Sequence, residues 1–307
     1  MAYSSNIIFG PVLSRRFGLS LGIDLSPSKK QCNFDCLYCE LESSKPILQM
    51  DTYPSVDEVL SEVTKALLIH KNIDVLTLTA NGEPSLYPHL EILIIKINKI
   101  KQTAKTLILS NGSRVKESME ALKQFDIVKL SLDCASQKCF KKLDRGHKSL
   151  EIEKIITSML EFKKVFKNEL VIEVLFVKNI NDKKDEVEKI YEILQILQPQ
   201  RVDIGTIDRP PAYKVRPVSL EFLENTAKYF KGLNVNIAYS NKNSKKDVRK
   251  DSFNKDELLS LIKRRPLSEE DIAKLLDTPS QEIFNKLLED KLIKKVLSSE
   301  LVFYKLS

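Results

Sequence analysis

The chain has 307 residues, of which 42% are hydrophobic and 30% charged, with five cysteines and a formal net charge of +7. That length holds one large domain plus a small one, and the composition excludes a disordered or fibrous chain. The longest apolar candidate, LEILIIKINKI, is broken by Lys96 and Asn98, which argues against a bilayer span, and the start MAYSSNIIFGPVLSRRF lacks the basic-then-apolar pattern of a secretory leader. The expectation is a cytoplasmic protein without a membrane partner, where thiols stay reduced and clustered cysteines serve metal binding or chemistry rather than disulfides. The mild positive charge permits a nucleic-acid partner without demanding one.

The first strand candidate is SLGID (20–24). It is followed by CNFDCLYCE (32–40), which crowds three of the five cysteines into eight residues. SVDEVLSEVTKALLIH (55–70) then reads as a helix opened by a serine cap with glutamate three residues on. Further strand candidates are DVLTLTA (74–80), KTLILS (105–110), DIVKLSLD (126–133), LVIEVLFV (170–177) and RVDIGTI (201–207). Helical patterns alternate with them: LEILIIKINKIK (90–101), VKESMEALKQ (115–124), SLEIEKIITSMLEFKKVF (149–166), KDEVEKIYEILQIL (184–197) and SLEFLENTAKYF (219–230). The strands are near-continuous apolar runs, as expected for a parallel sheet covered by helices. Six β-then-α units predict an α/β fold, a partial (β/α)6 TIM-like barrel over residues 1–240, with chemistry in the loops after each strand.

NKNSKKDVRKD (241–251) has no apolar period and reads as a linker. After it, KDELLSLIKRR, SEEDIAKLL and SQEIFNKLLEDK read as three short helices. LIKKVLSSELVFYKLS reads as a hairpin turning near Ser298–Ser299. Residues 252–307 therefore resemble a small winged-helix-like domain. They carry ten basic and ten acidic residues, and Glu282, Glu289 and Asp290 sit on its second or third helix. Phosphate would be repelled there, so DNA binding is not expected, and a docking or capping role fits better.

Three thiolates ligating an iron–sulfur cluster would leave one iron with an open position, which suits a ligand that comes and goes. Cys32, Cys36 and Cys39 match the CxxxCxxC pattern of the radical S-adenosylmethionine (radical SAM) superfamily, with an aromatic residue, Tyr38, before the last cysteine. Other strand ends match in order. Asn81-Gly82-Glu83-Pro84 resembles the family's GGEP-type motif with Asn81 in place of the first glycine. Ser110-Asn111-Gly112 follows the third strand, and Ser131-Leu132-Asp133 follows the fourth. The resemblance covers roughly residues 7 to 235. It implies a [4Fe–4S] cluster on the three cysteines and S-adenosylmethionine on its open iron, cleaved by one electron to methionine and a 5′-deoxyadenosyl radical that abstracts hydrogen from a substrate. By the same resemblance, Tyr38, Asn81, Gly82, Glu83, Ser110, Asn111, Ser131 and Asp133 contact the cofactor, with Ser131 and Asp133 at the ribose. A flavodoxin or ferredoxin would supply the electron. FGPVLSRRFGLSLGID and TIDRPP are similar to a microbial group labelled as related to tRNA wyosine-forming enzymes, whose substrate is not carried over.

Alternatives stand beside this reading. Cys36 and Cys39 with Cys134 and Cys139 would make a four-cysteine zinc site, and a non-catalytic zinc- or cluster-binding regulator with a DNA-binding winged helix is the alternative from another class. Otherwise Cys134 and Cys139 read as small buried hydrophobes. An RNA-modifying enzyme is compatible with the basic linker, Lys242, Lys245, Lys246, Arg249 and Lys250. Arg15 and Arg16 are either solvated or anion-binding. Lys141, Lys142 and Arg145 form a basic segment, and Arg209-Pro210-Pro211 with Tyr213 is a candidate substrate loop, as are Asn179, Asn181 and Thr206 to Arg209. His70, His89 and His147 show no metal-ligand spacing.

Overall fold

The computed structural model describes residues 5–14, 16–238, 250, 252–264, 266–298 and 301–307. An eight-stranded sheet runs in chain order: β1 (Ile8–Ser14), β2 (Gly18–Asp24), β3 (Val75–Thr79), β4 (Lys105–Ser110), β5 (Ile127–Ser131), β6 (Glu169–Phe176), β7 (Arg201–Thr206) and β8 (Val235–Ala238). β1 pairs antiparallel with β2, and β2 through β8 are all parallel. The six expected strands appear as β2 to β7. The hairpin strand β1 and the short β8 extend the sheet at its two edges.

Helices α1 (Val56–Ile69), α2 (Leu90–Ile100), α3 (Met119–Leu122), α4 (Gln137–Leu143), α5 (Ile152–Val165), α6 (Lys184–Leu197) and α7 (Leu220–Tyr229) cover the outer face. α1 begins with the expected capping box: the Ser55 side chain accepts from Glu58 N–H, and Glu58 returns to the Ser55 backbone. Its buried stripe, Val59, Val63, Ala66 and Leu67, recurs at helical spacing and faces the sheet. The pattern over 115–124 folds as only the four-residue α3. No helix is long and apolar enough to cross a membrane among the described residues.

Period-two alternation divides the strands between two cores. Outward residues such as Leu21, Leu76, Ile108, Val128, Ile172 and Ile204 join the main core under the helices. Inward residues line the barrel lumen. Its lower end is closed by a separate cluster of Val75, Leu107, Ile127 and Val171 against Phe17, and the Arg201 guanidinium lies 4.8 Å above that ring. The lumen is thus filled at its lower end and opens toward the carboxyl ends of the strands.

The C-terminal region holds α8 (Lys255–Arg264), α9 (Glu269–Leu275), α10 (Thr278–Glu289) and a three-stranded antiparallel sheet of β9 (Leu267–Ser268), β10 (Ile293–Ser298) and β11 (Leu301–Leu306). Three helices and a hairpin are present, with β9 pairing onto β11 as a third strand. Its core, built on Leu258, Leu261, Leu276, Phe284 and Leu287, also takes in Val12 of β1. The expected linker falls largely outside the described residues, as does Ser299; Lys250 alone of its basic residues is described, and it is exposed.

Candidate active site at the strand ends

A cavity of about 550 Å³ occupies the lumen and its upper rim, within the range of about 300–1,000 Å³ for small-ligand sites. Cys32, Cys36 and Cys39 all line it. They lie on the long loop between β2 and α1, which is anchored on several sides. Ile47 N–H donates to Cys32 C=O at 2.9 Å, Leu37 N–H to Leu143 C=O at 2.9 Å, and Ala212 N–H to Cys39 C=O at 2.8 Å. Gln31 forms a bridge to Gly82: Gln31 N–H donates to Asn81 C=O at 2.8 Å, and Glu83 N–H to Gln31 C=O at 2.9 Å. The glycine is required by this approach, because a Cβ at Gly82 would lie 1.9 Å from the Gln31 carbonyl oxygen.

The donor set fits a cluster better than a single zinc ion. Tetrahedral zinc at about 2.3 Å from each sulfur holds the sulfurs about 3.8 Å apart. Among the described residues, the three sulfurs are not a group lying wholly within 4.8 Å. Cys134 and Cys139 take no part. They are joined to each other as a disulfide with Cα atoms 5.5 Å apart across the start of α4, and both are buried. This corrects their reading as unbonded hydrophobes and removes two ligands from the zinc alternative. Burial, and next the Glu83 charge, pushes the Cys32 thiol up to about 12; burial also pushes Cys36 and Cys39 up. Thiolates in such surroundings need a bound metal cation to hold them. N–H donors approach the sulfurs: Phe34 N–H lies 3.4 Å and Asn111 Nδ2 3.8 Å from Cys32 Sγ, and Lys30 Nζ lies 3.8 Å from Cys39 Sγ.

The rim residues named from sequence converge here, in two different roles. Tyr38, Asn81, Gly82 and Ser131 face the cavity. Glu83, Ser110 and Asn111 also border it, but their side chains are engaged within the protein: Glu83 with Ser110 Oγ, and Asn111 with Asn33 at 2.8 Å and Ser113 Oγ at 2.6 Å. The buried Glu83 carboxylate accepts from Ser110 Oγ at 2.7 Å, Asn111 N–H at 2.7 Å and Ser85 N–H at 2.9 Å. It ties the β3 loop to the β4 loop. Asp24 does the same one strand earlier, accepting from Ser26 and Asn81 N–H groups, each at 2.9 Å. Asp133 stands one layer behind the wall: it accepts from the Tyr38 hydroxyl and from Leu175 N–H, the latter at 2.6 Å. Burial raises its pKa to about 7. Ser136 caps α4.

Several other sequence candidates are structural. Asn181 is fully buried and bonds the Asp133 and Leu175 carbonyls, each at 2.8 Å. Asn179 is exposed. Arg209 lines the cavity and pairs with Glu40 at 3.3 Å. Tyr213 donates to Asp35 at 2.6 Å, so the loop after β7 clasps the cysteine loop. The histidines do not line the cavity, and Arg15 lies outside the described residues.

Three lumen residues had passed unnoticed in the strands, Lys129, Glu173 and Asp203, and the sequence candidate Arg16 joins them from the turn between β1 and β2. Lys129 and Arg16 both donate to Glu173 Oε1 at 2.6 Å, and Arg16 also reaches Asp203 at 3.5 Å. Burial opposes the Glu173 charge, but Lys129 and Arg16 outweigh it and hold the carboxyl at about 2. The set gives the lumen an ionic floor. Its signal in the sequence is one polar residue at alternate positions: Lys129 and Ser131 in IVKLS, Glu173 in ELVIEVLF, Asp203 in RVDIGT.

Residues 27–194 match the profile of the Radical SAM superfamily. A UPF0026 protein of Helicobacter pylori strain J99 is 46% identical over 300 residues, 96% of each chain. A radical SAM methyltransferase from Sphaerobacter thermophilus has a similar structure, with TM-score 0.56 and 14% identity, covering 72% of this chain and 66% of that one. A structure of TYW1 with a lysine–pyruvate adduct bound gives TM-score 0.51 at 17% identity, covering 69% and 72%. At those identities the two structures speak to the fold.

Proposed function

We propose, from the premise that this chain belongs to the radical SAM superfamily and within it to the UPF0026 proteins, that Cys32, Cys36 and Cys39 hold the cluster of an enzyme acting on a small substrate in the lumen. It is a radical SAM enzyme, and the cofactors of that class are a [4Fe–4S] cluster and S-adenosylmethionine. When bound, they supply a 5′-deoxyadenosyl radical, by one-electron cleavage of the sulfonium, for hydrogen abstraction. The observation that carries the reading is that the three cysteines and the strand-end residues face one cavity with a closed floor.

Each group in the chain has a stated task. Lys30 and Asn111 donate toward the sulfurs of Cys39 and Cys32. Gly82 lets the cysteine loop approach β3, and Glu83 fixes the β3 and β4 loops together. Tyr38, buttressed by Asp133, and Ser131 border the cavity, and Ser131 serves a ribose hydroxyl of the cofactor in this reading. Arg16, Lys129 and Glu173, which line the cavity, orient the polar end of the substrate at the floor, with Asp203 behind them holding Arg16. Phe17 below and the C-terminal region beside β1 keep water from a reactive radical. That region acts as a cover rather than a DNA reader. A flavodoxin- or ferredoxin-type protein of the cytoplasm delivers the electron.

A wyosine-related, RNA-modifying enzyme is the second reading, favoured by the positive charge of the chain. The two are separated by adding small-metabolite or bulk tRNA fractions to the reconstituted enzyme and measuring 5′-deoxyadenosine above the substrate-free rate. Stimulation by the metabolite fraction supports the lumen reading. Stimulation by tRNA alone overturns it.

A further inference from the structure

The outer side of the cysteine loop carries a ring of cations that the cavity does not use. Four segments close this ring through direct contacts. Asp35 N–H of the cysteine loop donates to Asp144 C=O at the end of α4, at 3.1 Å. Lys142 of α4 reaches Asn179 C=O in the loop after β6, at 3.4 Å. Lys178 N–H in that loop donates to Arg216 C=O in the loop after β7, at 2.9 Å. Tyr213 of that last loop returns to Asp35, and Arg145 lies 4.6 Å over its ring.

Lys141, Lys142, Lys178, Lys214 and Arg216 are exposed on this ring. Segments 137–148, 178–181 and 210–217 contain one acidic residue, Asp144, and it is buried; the cysteine loop adds the exposed Glu42 and the half-buried Glu40, which pairs with Arg209, and Asp182 follows Asn181, so cations stay in excess around the ring. The chain's whole formal excess of +7 falls in residues 1–251, since the last 56 residues are neutral. Only a thin layer separates the ring from the candidate ligands. Asp144 takes a hydrogen bond from Cys36 on its inner side, and Ala212 bonds the Cys39 carbonyl.

Asp35, Asp144, Arg145 and Tyr213 do not border the cavity. A nucleotide bound on the ring could not reach the lumen through this layer, whereas an electron can cross it. We infer that the ring formed by Lys141, Lys142, Lys178, Lys214 and Arg216 is the docking surface for an acidic one-electron donor protein of ferredoxin or flavodoxin class. This rests on the radical SAM reading above. In the step, one electron leaves the donor's reduced centre, which is oxidised by one, and enters the cluster, which is reduced by one; no atom moves. Opposite charge raises encounter rates by about 10- to 1,000-fold and makes them fall with salt.

The test uses the full reconstituted chain, a photoreduced ferredoxin of net negative charge, and a Lys141→Glu/Lys142→Glu/Lys214→Glu variant. A Lys99→Glu/Lys164→Glu/Lys228→Glu variant makes the same change in net charge on the outer faces of α2, α5 and α7. Ferredoxin affinity is measured by titration, and cluster bleaching by stopped flow. The ring variant should lose about tenfold or more in both at low salt, converging with wild type at high salt, while the control variant stays within about threefold. Dithionite-driven 5′-deoxyadenosine formation should be equal in all three proteins, which also shows that the ring variant folds. Equal ferredoxin rates in ring variant and wild type would overturn the docking inference. So would loss of bulk tRNA binding in the ring variant with ferredoxin transfer unchanged, which would assign the surface to RNA. Failure of dithionite to produce 5′-deoxyadenosine in wild type would instead remove the radical SAM reading, and the inference with it.

Discussion

Gly82→Ala tests how the cysteine loop is attached to the barrel. Gly82 has φ +136°, and an added Cβ would lie 1.9 Å from the Gln31 carbonyl oxygen and 2.4 Å from its carbon. Gln31 cannot simply move aside. It is buried, and its side chain bonds Ser26 Oγ at 2.8 Å and Thr52 C=O at 2.6 Å. Relief therefore separates the loop from the end of β3 and breaks the two backbone bonds of Gln31 to Asn81 and Glu83. Backbone strain of about 1–3 kcal/mol and about 1 kcal/mol per lost bond give about 3–5 kcal/mol. At about 2 °C per kcal/mol for a chain of this size, the melting temperature should fall by about 6–10 °C. Bound iron after reconstitution should fall with it. Gly232→Ala is the control: its φ is +77°, but the nearest atom to an added Cβ is 3.8 Å away, so only the backbone strain of about 1–2 kcal/mol applies. The reasoning is refuted if Gly82→Ala melts like Gly232→Ala and retains full iron.

Other substitutions probe the remaining ties. Glu83→Gln keeps the shape but offers an N–H₂ group to donors from Ser85, Ser110 and Asn111; thermal melts should show a loss of about 1–3 kcal/mol, with weaker S-adenosylmethionine binding by calorimetry. Glu173→Gln leaves the buried Lys129 without its main partner, for about 3–5 kcal/mol at neutral pH. The same carboxyl sets an acid limb. Its folded pKa of about 2 lies below its ordinary 4.5, so it contributes about 3 kcal/mol above pH 4.5 that is lost as pH falls toward 2. Denaturant titrations of wild type across that window should show this loss, and Glu173→Gln should not. Tyr213→Phe removes the hydroxyl donor to Asp35 and should cost about 1 kcal/mol while speeding loss of iron to a chelator.

The parallel strands and most helices were legible because apolar runs and helical stripes obey local periods. The cysteine spacing was legible because its ligands are adjacent in the chain. What escaped was set by the third dimension. Lys129, Glu173 and Asp203 are single polar residues inside apolar strands, and only barrel closure brings them together. β1 was hidden because an antiparallel hairpin strand with a register shift between Phe9 and Val12 lacks clean alternation. Asp133 looked like a ribose ligand, but its partners Tyr38 and Leu175 are 95 and 42 residues away in sequence. The short α4 was missed because it is held by Ser136 capping and by the buried pair Cys139 and Phe140 rather than by length.

The central claim is tested most directly by anaerobic reconstitution of wild type and Cys36→Ala, counting iron and zinc per chain and measuring 5′-deoxyadenosine after adding dithionite and S-adenosylmethionine. The account predicts about four irons and 5′-deoxyadenosine in wild type, with both lost in Cys36→Ala. Stoichiometric zinc without iron or cleavage in wild type would contradict it.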